Sequence, residues 1–341
     1  LVEFEPGVMS GAGAAMSGDT FRLMDPVSQR MMGVRADMTT QVARIALTRL
    51  ADAPRPLRIG YTGEVLRVRG TQLRPERQFA QVGAELIGAE SAEADIEIIA
   101  LAVESLAEIG VPGLSVDLTI PPLVPALLDG TDLSEDSRAD LRDALDRKDA
   151  SAVRDAGGAA AETLAQLMAA TGPGERAIEI LETLSLPAAP ARELARLRAV
   201  LSGVRKRIPD LDITVDPVEN RGFEYHTGVG FTFFARGERG EIGAGGRYIA
   251  TLDGAEAGND NGEPATGFSL YVDTIIRVLP EPERPARVYV PVGTGAADAA
   301  ALRADGWVTV AGLGEVDDNQ AEARRLGCSH LWTDGKAVPL A

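Results

Sequence analysis

The 341-residue chain has a single cysteine, Cys328, and only two histidines, His226 and His330. One cysteine excludes an intrachain disulfide and fits a reducing cytoplasm. So few thiol and imidazole groups, placed far apart, cannot build a thiolate–imidazole zinc cluster, and no carboxylate motif for a metal replaces it. The same shortage of histidine leaves no basis for a Ser-His-Asp mechanism. Uninterrupted apolar runs are also short: none approaches the ~20 residues that a membrane-crossing helix needs. Positive charge is scarce, with Lys plus Arg at 34 against Asp plus Glu at 51, a net charge of −17. Affinity for a phosphate backbone rests on many cationic contacts, so the balance argues against a nucleic-acid partner. The first residues, L-V-E-F-E-P-G, have neither a basic stretch nor a signal-like apolar core. They lack methionine and begin inside an expected strand, so further residues are expected upstream.

The chain is long for one core, and its pattern divides it. Residues 1–120 mix strands with two helices. Met31–Val34 reads as a strand, and Asp37 and Thr39 offer caps for a helix through Leu50. Leu57–Tyr61, Glu64–Val68 and Gln78–Ile87 read as antiparallel strands, the last with Phe79, Gln81, Gly83 and Glu85 on one face. Ser91 caps a second helix with an apolar stripe through Ile96, Ile99, Val103 and Leu106. From 121 to 208 strand signals vanish, and amphipathic helices are expected between two strands of one sheet. Strands return at Ile213–Asp216, Gly228–Ala235, Gly240–Ala244 and Ala265–Leu270, followed by a helix from Tyr271 to Leu279. A Pro- and charge-rich linker, Pro280–Arg287, leads to alternating strands and helices. The fold class is therefore α+β, on an antiparallel sheet with flanking helices. It divides into a core of 1–120 and 209–280, a helical insertion of 121–208, and a small α/β domain of 281–341.

Three blocks concentrate polar groups on strands or strand ends, where a rigid scaffold can aim them. They are R-A-D-M-T at Arg35–Thr39, R-P-E-R-Q-F-A-Q-V-G-A-E-L-I-G at Arg74–Gly88, and R-G-F-E-Y-H from Arg221 with G-A-G-G-R-Y ending at Tyr248. The third block supplies Arg221, Glu224, Tyr225, His226, Arg247 and Tyr248. Carboxylate and amide oxygens converging on one face would take an ammonium, and a guanidinium would take a carboxylate as a fork. That is an amino-acid pocket. Taken singly, the same residues read as surface charges and strand-end turns, and the glycines as a close approach of backbones. Gly11–Gly18 and Gly293-Thr294-Gly295 match no phosphate-loop pattern, and Cys328 reads as a small buried side chain.

At these blocks the sequence resembles the class II histidyl-tRNA synthetase core. It is still more similar to that family's non-aminoacylating branch, the regulatory subunits of ATP phosphoribosyltransferase. The resemblance covers roughly residues 1–280: R-G-F-E-Y-H matches R-G-L-D-Y-Y, G-A-G-G-R-Y matches A-G-G-R-Y, and R-A-D-M-T is closer to the regulatory R-P-D-M-T than to R-P-E-G-T. It implies that Asp37, Thr39 and Gln81 meet the α-ammonium of histidine and that Glu85 faces the imidazole. Arg221 would lie on the carboxylate side, with Tyr225, His226 and Tyr248 completing the pocket. His226 stands where the synthetase has tyrosine. The nucleotide half is altered: Thr62 of Y-T-G-E is matched to the motif 2 arginine, Asp273-Thr274 replace a Glu-Arg pair, and Tyr271 replaces a glycine. Loss of such preorganised cations costs on the order of 10²-fold each in rate.

The resemblance therefore implies a subunit without catalysis or cofactor, which activates the short catalytic subunit of ATP phosphoribosyltransferase. It implies self-dimerisation through the core within a hetero-octamer, histidine as effector, and neither nucleic acid nor membrane as partner. The rival expectations are a divergent histidyl-tRNA synthetase or histidine-activating enzyme, and a histidine-binding sensor with another partner.

Overall fold

The computed structural model describes residues 1–9, 17–70, 75–129, 131–219, 225–252, 262–281 and 284–340. They form two compact units, Leu1–Leu279 and Pro280–Ala341. The strands in chain order are β1 (Val2–Phe4), β2 (Arg22–Met24), β3 (Met31–Val34), β4 (Leu57–Leu66), β5 (Gln78–Ile87), β6 (Ser115–Thr119), β7 (Gly172–Pro173), β8 (Asp212–Asp216), β9 (Gly230–Phe234), β10 (Gly243–Ala250), β11 (Glu263–Tyr271), β12 (Arg287–Val290), β13 (Val308–Ala311), β14 (His330–Thr333) and β15 (Lys336–Pro339).

The first unit is built on an eight-stranded sheet in the order β4-β5-β11-β10-β9-β6-β8-β7. All its neighbours are antiparallel except β6 and β8, which run parallel, Ser115 opposite Asp212 through Thr119 opposite Asp216. A parallel pair needs a long crossover, and residues 121–208 supply it. Helices fill that crossover, including Glu135–Asp146, Gly174–Glu182 and Ala188–Arg207. One strand interrupts them, contrary to the expectation from sequence: Gly172 and Pro173 pair with Val215 and Thr214 at the sheet edge.

A period of two governs β5. Phe79, Gln81, Gly83 and Glu85 are buried while Gln78 and Val82 are exposed. Toward its end the other face closes as well, with Leu86 at 1% exposure in the main core. That core lies on one side of the sheet and joins Ile99 and Leu106 of helix Ala92–Glu108, Phe231 and Phe233 of β9, and Leu141 and Leu197 of the crossover. Each such side chain contributes about 1.5–3 kcal/mol by leaving water. The opposite side has two small apolar clusters instead: Ala43, Ala46, Ile87, Tyr248 and Ala265 at one end, Met38, Val65, Phe79 and Tyr271 at the other. Polar side chains occupy the interval between them. The second face is therefore where a ligand could be held.

Two strands expected on either side of Thr62 are a single ten-residue strand, β4, because Thr62 and Gly63 stay extended and pair with Val82 and Gln81. The helix expected to reach Leu50 ends at Leu47. A separate three-stranded sheet, β1-β3-β2, packs one face on Val8 and Thr20 through Gly33.

The second unit is a four-stranded sheet, β13-β12-β14-β15, parallel except for the final hairpin. Helices Ala296–Ala304 and Asn319–Arg325 connect its parallel strands. Tyr289, Ala323, Cys328 and Leu331 form one of its cores. Burial raises the Cys328 thiol above its usual range, which suits a packing role.

Candidate ligand-binding site

The site grows from glycines that leave room above the sheet. Glu85 of β5 lies opposite Gly267 of β11, and Gly267 lies opposite Gly246 of β10. A Cβ on Gly267 would overlap the Glu85 carboxyl, and one on Gly246 would stand 2.5 Å from Cδ2 of His226 and 2.7 Å from its Nε2. The paired glycines thus form a floor on which the Glu85 carboxyl and the His226 imidazole rest. Gly83 does the same for the Tyr61 ring.

Glu85 is 2% exposed. Tyr248 Oη donates to its Oε2 over 3.0 Å, and Tyr61 Oη lies 3.4 Å from its Oε1. Burial pushes the Glu85 carboxyl up to about 8; the Tyr248 hydrogen bond acts against that rise and the Asp37 charge adds to it. At neutral pH this carboxyl therefore holds its proton. Burial likewise raises the phenols of Tyr61, Tyr225 and Tyr248, with the Glu85 charge adding to it in all three and the Asp37 charge in Tyr61 and Tyr225, so all three remain donors. Tyr61 Oη is further fixed 3.1 Å from the Phe268 carbonyl and 2.8 Å from Ser269 Oγ.

Asp37, Gln81 and Thr39 make the adjoining wall. Asp37 Oδ1 accepts from the Thr39 N–H over 2.7 Å, an Asx turn that leads into helix Thr39–Leu47, whose N-cap residue is Met38. Its Oδ2 accepts from Gln81 Nε2 over 2.6 Å, while Gln81 Oε1 accepts the Met38 N–H over 3.0 Å. The amide orientation is thereby fixed, and Gln81 is fully buried. Tyr225 stacks 4.1 Å from His226 and meets Tyr248 edge-on at 6.3 Å. Asp37, Thr39, Gln81, Glu85, Tyr225, His226 and Tyr248 thus gather on one face of the sheet. Arg221 and Glu224 lie outside the described residues.

Other expected positions fall elsewhere. Thr62 is exposed and shares its register with exposed Val82, so it points away from the face that carries Tyr61 and Glu85. Its identity therefore does not remove charge from the site. An arginine does reach this face just beyond the end of β4. Following Tyr61, Gly63 and Val65 at every second residue, Arg67 donates from Nε to the Ala36 carbonyl over 3.2 Å and lies 5.2 Å over the Phe79 ring. It is near enough to draw the Tyr225 phenol downward. Arg247 does not face the site either: alternation turns it to the opposite side, against Asp95.

At the positions expected of a degenerate nucleotide site, Tyr271 is 7% exposed and packs edge-on against Phe79 at 5.5 Å. Thr274 is 3% exposed, and Asp273 Oδ2 accepts the Ala80 N–H over 2.8 Å. The Tyr271 ring thus packs against Phe79 at the position that the resemblance matched to a glycine. Among the described residues no group of His, Cys, Asp or Glu has the arrangement of a metal centre.

A family model described as histidyl-tRNA synthetase matches residues 1–275. An ATP phosphoribosyltransferase regulatory subunit of Rhodospirillum centenum is 53% identical over 336 residues, 98% of this chain and 85% of that protein. One of Gluconobacter oxydans is 45% identical over 340 residues, 100% of this chain and 87% of that protein. The chain belongs to the ATP phosphoribosyltransferase regulatory subunit family, on a class II synthetase-like fold. A crystal structure from Bacillus halodurans, described as an ATP phosphoribosyltransferase regulatory subunit/histidyl-tRNA synthetase, aligns with TM-score 0.77 at 25% identity, covering 95% of this chain and 85% of that one. The histidyl-tRNA synthetase of Nostoc sp. PCC 7120 has the same fold, with TM-score 0.73 at 19% identity over 97% of this chain and 81% of that one. Within this family setting the residues that sequence reasoning missed are Tyr61 and Arg67. Their signal was a period of two running from Tyr61 in β4 to Arg67 one residue past its end, hidden where two strands were expected.

Proposed function

We propose that this chain is a non-catalytic regulatory subunit of ATP phosphoribosyltransferase, which activates the short catalytic subunit in the first step of histidine biosynthesis and carries histidine feedback. The observation that carries this reading is the pairing of an acid- and phenol-lined pocket with a nucleotide side closed by Tyr271. The pocket suits a small ligand with hydrogen-bond donors at one end. Histidine would place its ammonium by Asp37 and Thr39, its imidazole by Glu85, and its carboxylate toward Arg67. Phosphoribosyl transfer belongs to the partner's active site.

The same reading includes a dimer of this chain through the synthetase-like core. In the β1-β3-β2 sheet, Phe4 and Leu23 both lie opposite Met32 and so share one face. Val2, Phe4 and Leu23 on that face are 44%, 36% and 39% exposed, with the Arg30 guanidinium 4.0 Å over the Phe4 ring, and a second copy would bury this partly apolar surface. Regulation then requires histidine to have different affinities for the active and inactive assemblies, by reciprocal linkage.

Arg67 gives the rival reading, a histidine-activating enzyme, its one support, since a cation remains beside the pocket. Pyrophosphate exchange with histidine and ATP separates the two. The regulatory reading expects exchange at background, and robust exchange contradicts it.

A further inference from the structure

Arg247 was expected to face a ligand, yet it is 2% exposed on the far side of the sheet, and its partner Asp95 is fully buried. Its Nε lies 3.0 and 3.1 Å from the two Asp95 oxygens, and Nη2 lies 2.8 Å from Oδ1. Nη1 donates to the Ala89 carbonyl over 2.8 Å and Nη2 to the Ser91 carbonyl over 3.0 Å. The guanidinium is therefore locked to the start of helix Ala92–Glu108. Its backbone holds a third segment: Arg247 N–H donates to the Val229 carbonyl over 3.0 Å, and Thr227 N–H to the Arg247 carbonyl over 2.8 Å. Gly228 lies against its stem, where a Cβ would come 2.9 Å from Cδ. Immediately before that segment stand Tyr225 and His226; immediately beside Arg247 in β10 stand Gly246 and Tyr248.

We propose that Arg247, through its fork to Asp95, is the positioning residue of the pocket, fixing where Tyr248 and His226 stand over Glu85 and Gly246. The inference rests on the pocket reading above. Burying an ion pair is seldom the most stable choice, since an apolar pair of similar volume often does as well or better. What a rigid five-donor fork adds is angle and register. Register matters here because a slip of one residue would exchange Tyr248 for Arg247 on the site face.

The test is made on the ligand-free full chain. The Glu85 carboxyl is followed by carbon NMR of labelled glutamate, assigned with Glu85→Gln, across a pH titration. Tyr248→Phe calibrates the response: its hydrogen bond holds the Glu85 carboxyl down, so the midpoint rises above the wild-type value of about 8. Three variants are compared, Arg247→Lys, Asp95→Asn and the double Arg247→Met/Asp95→Leu, with folding checked by circular dichroism. We expect the folded double variant to raise the Glu85 midpoint as Tyr248→Phe does and to bind histidine about tenfold more weakly. Arg247→Lys should fall between it and wild type. A folded double variant whose Glu85 titrates as in wild type overturns the proposal. So does loss of folding in every variant, which would leave the pair a purely structural role. Absence of histidine binding to wild type would count against the pocket's ligand, while the titration still decides the role of Arg247.

Discussion

Replacing Glu85 by glutamine should make the ligand-free chain more stable at pH 9 and leave it nearly unchanged at pH 5. Burial pushes this carboxyl up to about 8 when folded, against an ordinary value of 4.5. Folded protein thus binds the extra proton between those values, so the contribution of Glu85 to stability is fully present below pH 4.5. It is lost as pH rises and levels off once the folded carboxyl has ionised above 8. At about 1.4 kcal/mol per tenfold change in proton affinity, the loss is on the order of several kcal/mol. Glutamine keeps the shape and hydrogen-bonding capacity but never ionises, so the part of the slope due to Glu85 should vanish in the variant. Other groups titrate in both proteins, and the difference between two urea-denaturation series isolates Glu85. Parallel curves from pH 5 to pH 9 would mean that this carboxyl is solvated and ionised at neutral pH.

The second large effect is steric. Gly267→Val should abolish histidine binding, weakening it at least ~100-fold, and lower stability by about 3 kcal/mol. A Cβ there meets the Glu85 carboxyl and also lies 2.8 Å from the Ala84 carbonyl, so neither a side-chain rotation nor a small strand shift relieves it. Gly60→Ala is the control in the same sheet: its nearest neighbour would be the Gly83 carbonyl at 3.9 Å, on the exposed face shared with Thr62. That variant should bind histidine normally. Equal loss in both, read by calorimetry, would show that the sheet, rather than the floor of the pocket, had been disturbed.

Much of this arrangement was legible in the chain. Strand β5 announced its faces because one side is buried along its whole length, so Phe79, Gln81, Gly83 and Glu85 kept a strict period of two. Amphipathic spacing revealed the crossover helices, though not that they bridge a parallel pair, because β6 and β8 meet only in space. In the G-G-R-Y run, glycine density hid the alternation, and Arg247 and Tyr248 were both assigned to the pocket although neighbours in a strand face opposite ways. The same weakness cost β4 its continuity: Thr62-Gly63 looked like a break, and Arg67 dropped out of phase with Tyr61. Strand β15 carried too weak a pattern, since its four residues, Lys336–Pro339, include an exposed charge and a terminal proline.

The measurement that tests the central claim most directly is a mixing assay. The short catalytic subunit of ATP phosphoribosyltransferase is assayed for phosphoribosyl transfer alone, with this chain, and with this chain plus histidine. The account predicts that the chain raises the rate on mixing, that histidine lowers it again, and that Glu85→Ala blunts the histidine effect while leaving the activation. An unchanged rate on mixing, with both proteins folded and at micromolar concentration, would contradict it.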